Sequence, residues 1–109
     1  MSEDNDRYQT IIADNVAWTI QNPVKAKKEV LMTYIGKGSY KFYRMLLDKD
    51  GKLVKQYGRI GNTQSSSVSE DGQAEFVRML KEKLMKGYRT EHKAGLSKEE
   101  EGIILGTVI

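Results

Sequence analysis

Hydrophobic and polar positions along the chain set out a run of strands followed by one helix. From Tyr8 to Ile20 the β-prone residues Ile11, Ile12, Val16, Trp18 and Ile20 recur, interrupted by the turn-favouring pair Asp14-Asn15. This predicts two short strands in an N-terminal β extension over about 8–23, closed by Asn22-Pro23, where proline removes a backbone donor. Trp18 reads as a core residue, since large aromatics are mostly buried. Glu29 to Ile35 predicts a third strand, ended by Gly36-Lys37-Gly38-Ser39. That tetrad lacks the spacer and the following helix of a phosphate-binding loop, so it reads as a turn.

Lys41 to Leu47 and Lys52 to Ile60 are the clearest strands, joined by Asp48-Lys49-Asp50-Gly51, whose Asp-Gly signals a hairpin. A two-residue turn at Asp50-Gly51 places Arg44 opposite Tyr57 and Phe42 opposite Arg59. One face then carries Phe42, Arg44 and Leu46 beside Lys55, Tyr57 and Arg59. The better core face carries Tyr43, Met45 and Leu47 beside Val54, Gln56 and Gly58. An even loop preserves these faces and an odd one swaps them.

Asn62 to Ser69 reads as a polar loop, with Ser69 offered as N-cap ahead of Glu70 and Asp71. A helix is predicted from about Gly72 to Lys86. Phe76, Leu80 and Leu84 fall on one stripe that Val77 widens, leaving Arg78, Lys81 and Lys86 outside. Gly87 suits its C-terminal end, and Tyr88 can fold back on it. Beyond, Glu91 to Lys98 is polar. Ser97 and Glu100 have capping-box spacing, and Ile103 to Ile109 reads as an extra strand or core plug. The fold class expected is α+β, an antiparallel sheet with one long amphipathic helix packed on one face, in a single domain over 1–109.

Composition narrows the function. The chain has 109 residues, 39% of them hydrophobic, which suffices for one self-supporting core. With no cysteine, disulfides, thiolate metal sites and thiol nucleophiles are excluded. The lone His92 has no carboxylates at ligand spacing and reads as structural or solvated. Glu99-Glu100-Glu101 reads as a solvated charge patch, and no arrangement for nucleophilic or acid–base catalysis stands out. No apolar run approaches the ~20 residues of a membrane span, and the acidic N-terminus is unlike a secretory signal. A soluble, cytoplasmic, non-enzymatic chain without cofactor or metal is expected.

The net charge of +3 is unevenly spread. Residues 24–63 hold ten Lys/Arg against Glu29, Asp48 and Asp50, a net +7, whereas 1–23 carry −3 and 64–109 carry −1. The basic block coincides with Tyr57-Gly58-Arg59-Ile60-Gly61. An aromatic and an arginine two positions apart project from the same face of a strand, a pairing suited to a flat anionic ligand. With Lys41, Arg44 and Lys55 as basic neighbours, Tyr57 and Arg59 form the candidate site.

Lys41-Phe42-Tyr43-Arg44 on one strand, Tyr57-Gly58-Arg59-Ile60-Gly61 on the next and a helix ending Lys81-Glu82-Lys83-Leu84-Met85-Lys86-Gly87-Tyr88 resemble, in that order, the WGR domain family. The resemblance covers about 28–89, leaving the tail 91–109 outside. It implies a small α+β domain that, in poly(ADP-ribose) polymerases, helps bind DNA near strand breaks. Tyr57 takes the place of the motif tryptophan, which lies against the DNA end, and Arg59 takes the place of the motif arginine. Tyrosine offers less stacking area and a polar tip.

These readings converge on a non-catalytic nucleic-acid-binding module, for DNA ahead of RNA, at ends or breaks and with weak sequence specificity. The alternative is a protein-interaction or homo-oligomerisation module that uses the same face or the apolar C-terminal tail.

Overall fold

The computed structural model describes the backbone of residues 8–13, 16–21, 26–60 and 65–108, and side chains over 26–60 and 68–106. The Asp14-Asn15 and Asn22-Pro23 turns, the Trp18 side chain and motif residue Gly61 lie outside the described residues. Strands β1 (Tyr8–Ala13) and β2 (Val16–Gln21) pair antiparallel as a two-stranded sheet, as the Tyr8–Ile20 pattern implies.

The main sheet is an antiparallel meander of β3 (Lys28–Gly36), β4 (Ser39–Leu47), β5 (Leu53–Arg59) and β6 (Ser65–Ser69). Helix α1 (Gly72–Met85) leads to β7 (Arg89–Ala94), which pairs with the free edge of β3, giving the order β6-β5-β4-β3-β7. A second helix, α2 (Lys98–Val108), follows. The fold is thus α+β, but with two helices of 14 and 11 residues instead of one long one.

The β3–β4 connection is the tight turn expected, Gly36 pairing with Ser39. The β4–β5 connection corrects the expected register. Asp48 N–H donates to Lys52 O at 2.9 Å and Gly51 N–H donates to Asp48 O at 3.1 Å, so the loop is the three residues Lys49-Asp50-Gly51. Asp48 Oδ1 fixes it by accepting from the N–H groups of Asp50 and Lys52, both at 2.9 Å. Gly51, at φ 86°, supplies the left-handed residue that such a loop requires. An odd loop exchanges the faces: Tyr43 stands opposite Tyr57, Lys41 opposite Arg59, and Arg44 opposite Gln56.

Val30, Met32, Tyr43, Met45, Leu47 and Leu53 form the sheet side of the core, and Phe76, Met79, Leu80 and Leu84 of α1 pack onto it. Met79 widens the helix stripe where Val77, half-buried, was expected. Asp71, not Ser69, occupies the N-cap position, and its side chain makes no capping bond. At the far end Gly87 N–H bonds Leu84 O and Tyr88 N–H bonds Lys83 O, both at 3.1 Å, so Tyr88 does turn back on the helix.

Two polar stretches, one of them read as a loop and neither as a strand, form edge strands. Ser65–Ser69 pairs with β5 and Arg89–Ala94 with β3. Neither needs an apolar face, because neighbouring strands supply the backbone bonds and polar edges are tolerated. The tail is helical, not an extra strand. Ser97 N–H donates to Glu100 Oε1 at 2.8 Å and Glu100 N–H donates to Ser97 Oγ at 3.2 Å, the capping box its spacing suggests. Ile104 enters the core from α2. Glu100 is not part of a solvated patch: it is 1% exposed and pairs with Lys28 Nζ at 2.6 Å.

Candidate functional site

The swapped faces put Lys41, Tyr43, Lys55, Tyr57 and Arg59 together on the sheet surface that carries α1. Gly58 sits between Tyr57 and Arg59 at φ 152°, a conformation that side chains with a Cβ rarely adopt, so the motif glycine shapes the strand that presents them. Tyr57, 36% exposed, stacks on Tyr43 with ring centroids 5.5 Å apart and an interplanar angle of 17°. Arg59 and Lys41 are exposed and lie across the strand pair from one another.

Arg44 does not join them. It is 1% exposed on the opposite face, where Glu29 Oε2 lies 2.8 Å from its Nη2 and Gln56 Oε1 accepts from its Nη1 at 2.8 Å. Burial lowers its pKa, opposed by the charge and hydrogen bond of Glu29. Lys55 lines the shared face but is half-buried, with its Nζ 3.0 Å from Glu75 Oε2.

Residues that strand parity could not reveal complete the site. Lys83 reaches over the sheet from the last turns of α1, its Nζ 4.5 Å from the centre of the Tyr43 ring and 5.4 Å from that of Tyr88. Tyr88 in turn meets Tyr34 at 5.6 Å, and Lys41 Nζ lies 5.6 Å over the Tyr34 ring. A run of contacts, two tyrosine pairs each followed by a lysine, therefore passes from Tyr57 through Tyr43, Lys83, Tyr88 and Tyr34 to Lys41. Tyr57, Tyr43, Lys83, Tyr88 and Lys41 border a groove of about 560 Å³ between the β3–β4 turn, β5 and the end of α1, and Tyr34 backs Tyr88 and Lys41 from behind its lining. The sequence carried one signal for Lys83: it lies four residues after Met79, on the flank of the apolar stripe.

The electrostatics of the groove follow from partial burial. Desolvation pushes the Tyr43 phenol up to about 12, with Glu75 and Tyr57 adding to the effect. Burial also raises Tyr88, helped by Tyr34. Lys83 is shifted downward by burial and by the nearby charges of Lys86 and Lys41, against the pull of Glu82. Among the described residues no carboxylate lies within 4 Å of Lys41, Arg59 or Lys83, whereas Lys28, Arg44, Lys55, Arg78, Lys86, Arg89 and Lys93 all have one. Cation–π contact holds positive charge in the groove without neutralising it. Among the described residues no cluster of three or more potential metal ligands is present, and no helix is long and apolar enough to cross a membrane. His92 is exposed on β7.

Fold and groove together define a small α+β domain with a tyrosine-lined, cationic face. Comparison with known families makes this specific: residues 29–95 match the WGR domain, and the chain belongs to that family. WGR domains are in general non-catalytic nucleic-acid-binding modules. No curated protein and no solved structure matched the chain.

Proposed function

We propose that this chain is a non-catalytic module that binds nucleic acid, DNA ahead of RNA, by receiving an end or break in the groove around Tyr57. The observation that carries the reading is the convergence of Lys41, Arg59 and Lys83, none with a carboxylate partner among the described residues, on a concave surface walled by tyrosines. Cations without internal counterions neutralise phosphates and release bound ions from the polymer. Tyr57, already stacked on Tyr43, offers its free face to a terminal sugar or base. Sequence preference is weak in this reading, because contacts to phosphate and to the faces of bases carry little sequence information.

Arg44 has no part in the proposed interface, given its burial on the other face. The helical tail with Ile104 in the core argues against the version of a protein-interaction role in which an extended apolar segment completes a neighbour's sheet.

The test is a titration of short DNA with blunt, nicked and single-stranded ends across a salt series. Wild-type binding should weaken with salt and favour ends. Tyr57→Ala combined with Arg59→Ala should cost at least about tenfold, since stacking alone is worth roughly 1–3 kcal/mol per base. Binding indifferent to salt, or unchanged in the double variant, defeats the proposal.

A further inference from the structure

One cationic pair beside the groove is already occupied. Lys55 lines the groove from β5, two residues (about 7 Å) along the strand from Tyr57. Its Nζ is 3.0 Å from Glu75 Oε2. The other oxygen of that carboxylate accepts from Arg78 Nε at 2.9 Å and Nη2 at 2.6 Å. A single carboxylate from the first turns of α1 therefore fills the space between a strand lysine and a helix arginine. Cations from two elements converging on one oxyanion, one of them gripping it through two nitrogens, is an arrangement that also suits a phosphate.

Glu75 is well held. Hydrogen bonds from Lys55 and Arg78 keep its carboxyl below the usual carboxylate range, so it is charged at neutral pH. Its side chain is 17% exposed, while that of Arg78 is 62% exposed and able to turn toward a ligand. Glu82, on the same helix, is held less closely, at 3.8 Å from Arg78 and 3.5 Å from Lys86.

We infer that Lys55 and Arg78 form a phosphate seat adjoining the groove, which Glu75 occupies in the free protein, so that Glu75 limits the affinity for nucleic acid. The inference rests on the nucleic-acid reading above and adds an internal competitor to it. A strand running past Tyr57 toward Lys55 brings a phosphate against the Glu75 carboxylate. Binding there requires Lys55 and Arg78 to exchange one anion for another, which leaves Glu75 unpaired beside a polyanion. The bound chain consequently gains little from two cations that lie within its reach.

Replacing the carboxylate should release both. In the same DNA titration, Glu75→Gln is expected to bind roughly three- to tenfold tighter than wild type at low salt. Its log–log salt dependence should steepen by about 1 to 2, for up to two recovered phosphate contacts. Glu82→Gln removes an equal charge from the same helix without opening the seat, and should produce less than half of either change. In an Arg78→Gln background only Lys55 remains to be released, so adding Glu75→Gln should steepen the slope by only about 1. Thermal melting of each variant accompanies the titrations, and Glu75→Ala replaces the amide variant should the latter fold poorly.

Equal effects of Glu75→Gln and Glu82→Gln, or no tightening in folded Glu75 variants, overturn the seat. If wild type nevertheless binds in a salt- and Tyr57-dependent way, the nucleic-acid reading stands and only this inference falls. If neither wild type nor any variant binds, both fall together.

Discussion

At the scale of single residues, Tyr43 connects stability to the site. Its ring is core on one side and the stacking platform of Tyr57 on the other, and burial pushes its phenol up to about 12 from an ordinary 10.0. A raised pKa favours the neutral form in the folded chain. Its contribution to stability is complete below about pH 10 and is lost as pH rises toward 12. The shift corresponds to about 3 kcal/mol in order of magnitude. Melting measured from pH 9 to pH 12 should therefore fall more steeply in wild type than in Tyr43→Phe, which has no phenol to ionise. Parallel curves for the two proteins would contradict this account of Tyr43.

At the scale of elements, α2 shows how one side chain ties a helix to its neighbours. Glu100 closes the capping box through Oε1, while its Oε2 accepts from Lys28 Nζ at 2.6 Å and from Gln73 Nε2 at 3.1 Å. It thus ties α2 to β3 and α1 at once. Burial alone would raise its pKa, but the bonds from Lys28, the Ser97 N–H and Gln73 outweigh that and hold it below the usual carboxylate value. A lowered pKa contributes stability that is present above the unfolded value, near 4.3, and disappears as pH falls through the folded value. Glu100→Ala should cost about 3 kcal/mol in urea unfolding near neutral pH, because Lys28 is left buried without its carboxylate. The loss should shrink in acid, where wild type surrenders the same interaction; an undiminished difference there would count against the ion pair as its source. The capping box was legible at Ser97 and Glu100. The burial of Glu100 was not, because spacing fixes a helix start but does not show which distant lysine the carboxylate meets. β3, β4, β5 and α1 were legible for the converse reason, since their apolar periods reflect a packed face. β6 and β7 lack such a period, and their strand form comes from the neighbours they pair with.

For the whole molecule, charge counted along the chain and charge available to a ligand are different quantities. The segment 24–63 carries ten cations. Within the fold, Lys28 is held by Glu100, Arg44 by Glu29 and Lys55 by Glu75. Lys49 and Lys52 belong to the β4–β5 turn, at the end of the strand pair away from Lys41 and Arg59. Parity along β5 was enough to place Tyr57 with Arg59. It could not place Arg44, because one extra loop residue, fixed by the Asp48 side chain, reverses the pairing. Nor could it find Lys83, whose position depends on how α1 lies across the sheet. What the groove offers is Lys41 and Arg59 from the basic block and Lys83 from outside it. Three phosphate contacts predict a log–log salt slope of about −3 on duplex DNA and about −2 on a single strand, whereas engagement of all ten block cations would give about −9. Lys83→Met should reduce the duplex slope by about 1, and Arg44→Met should leave it unchanged in whatever fraction of that variant stays folded. A wild-type slope near −9, or a slope insensitive to Lys83, would mean that the linear basic block, and not the groove assembled by α1, meets the polymer.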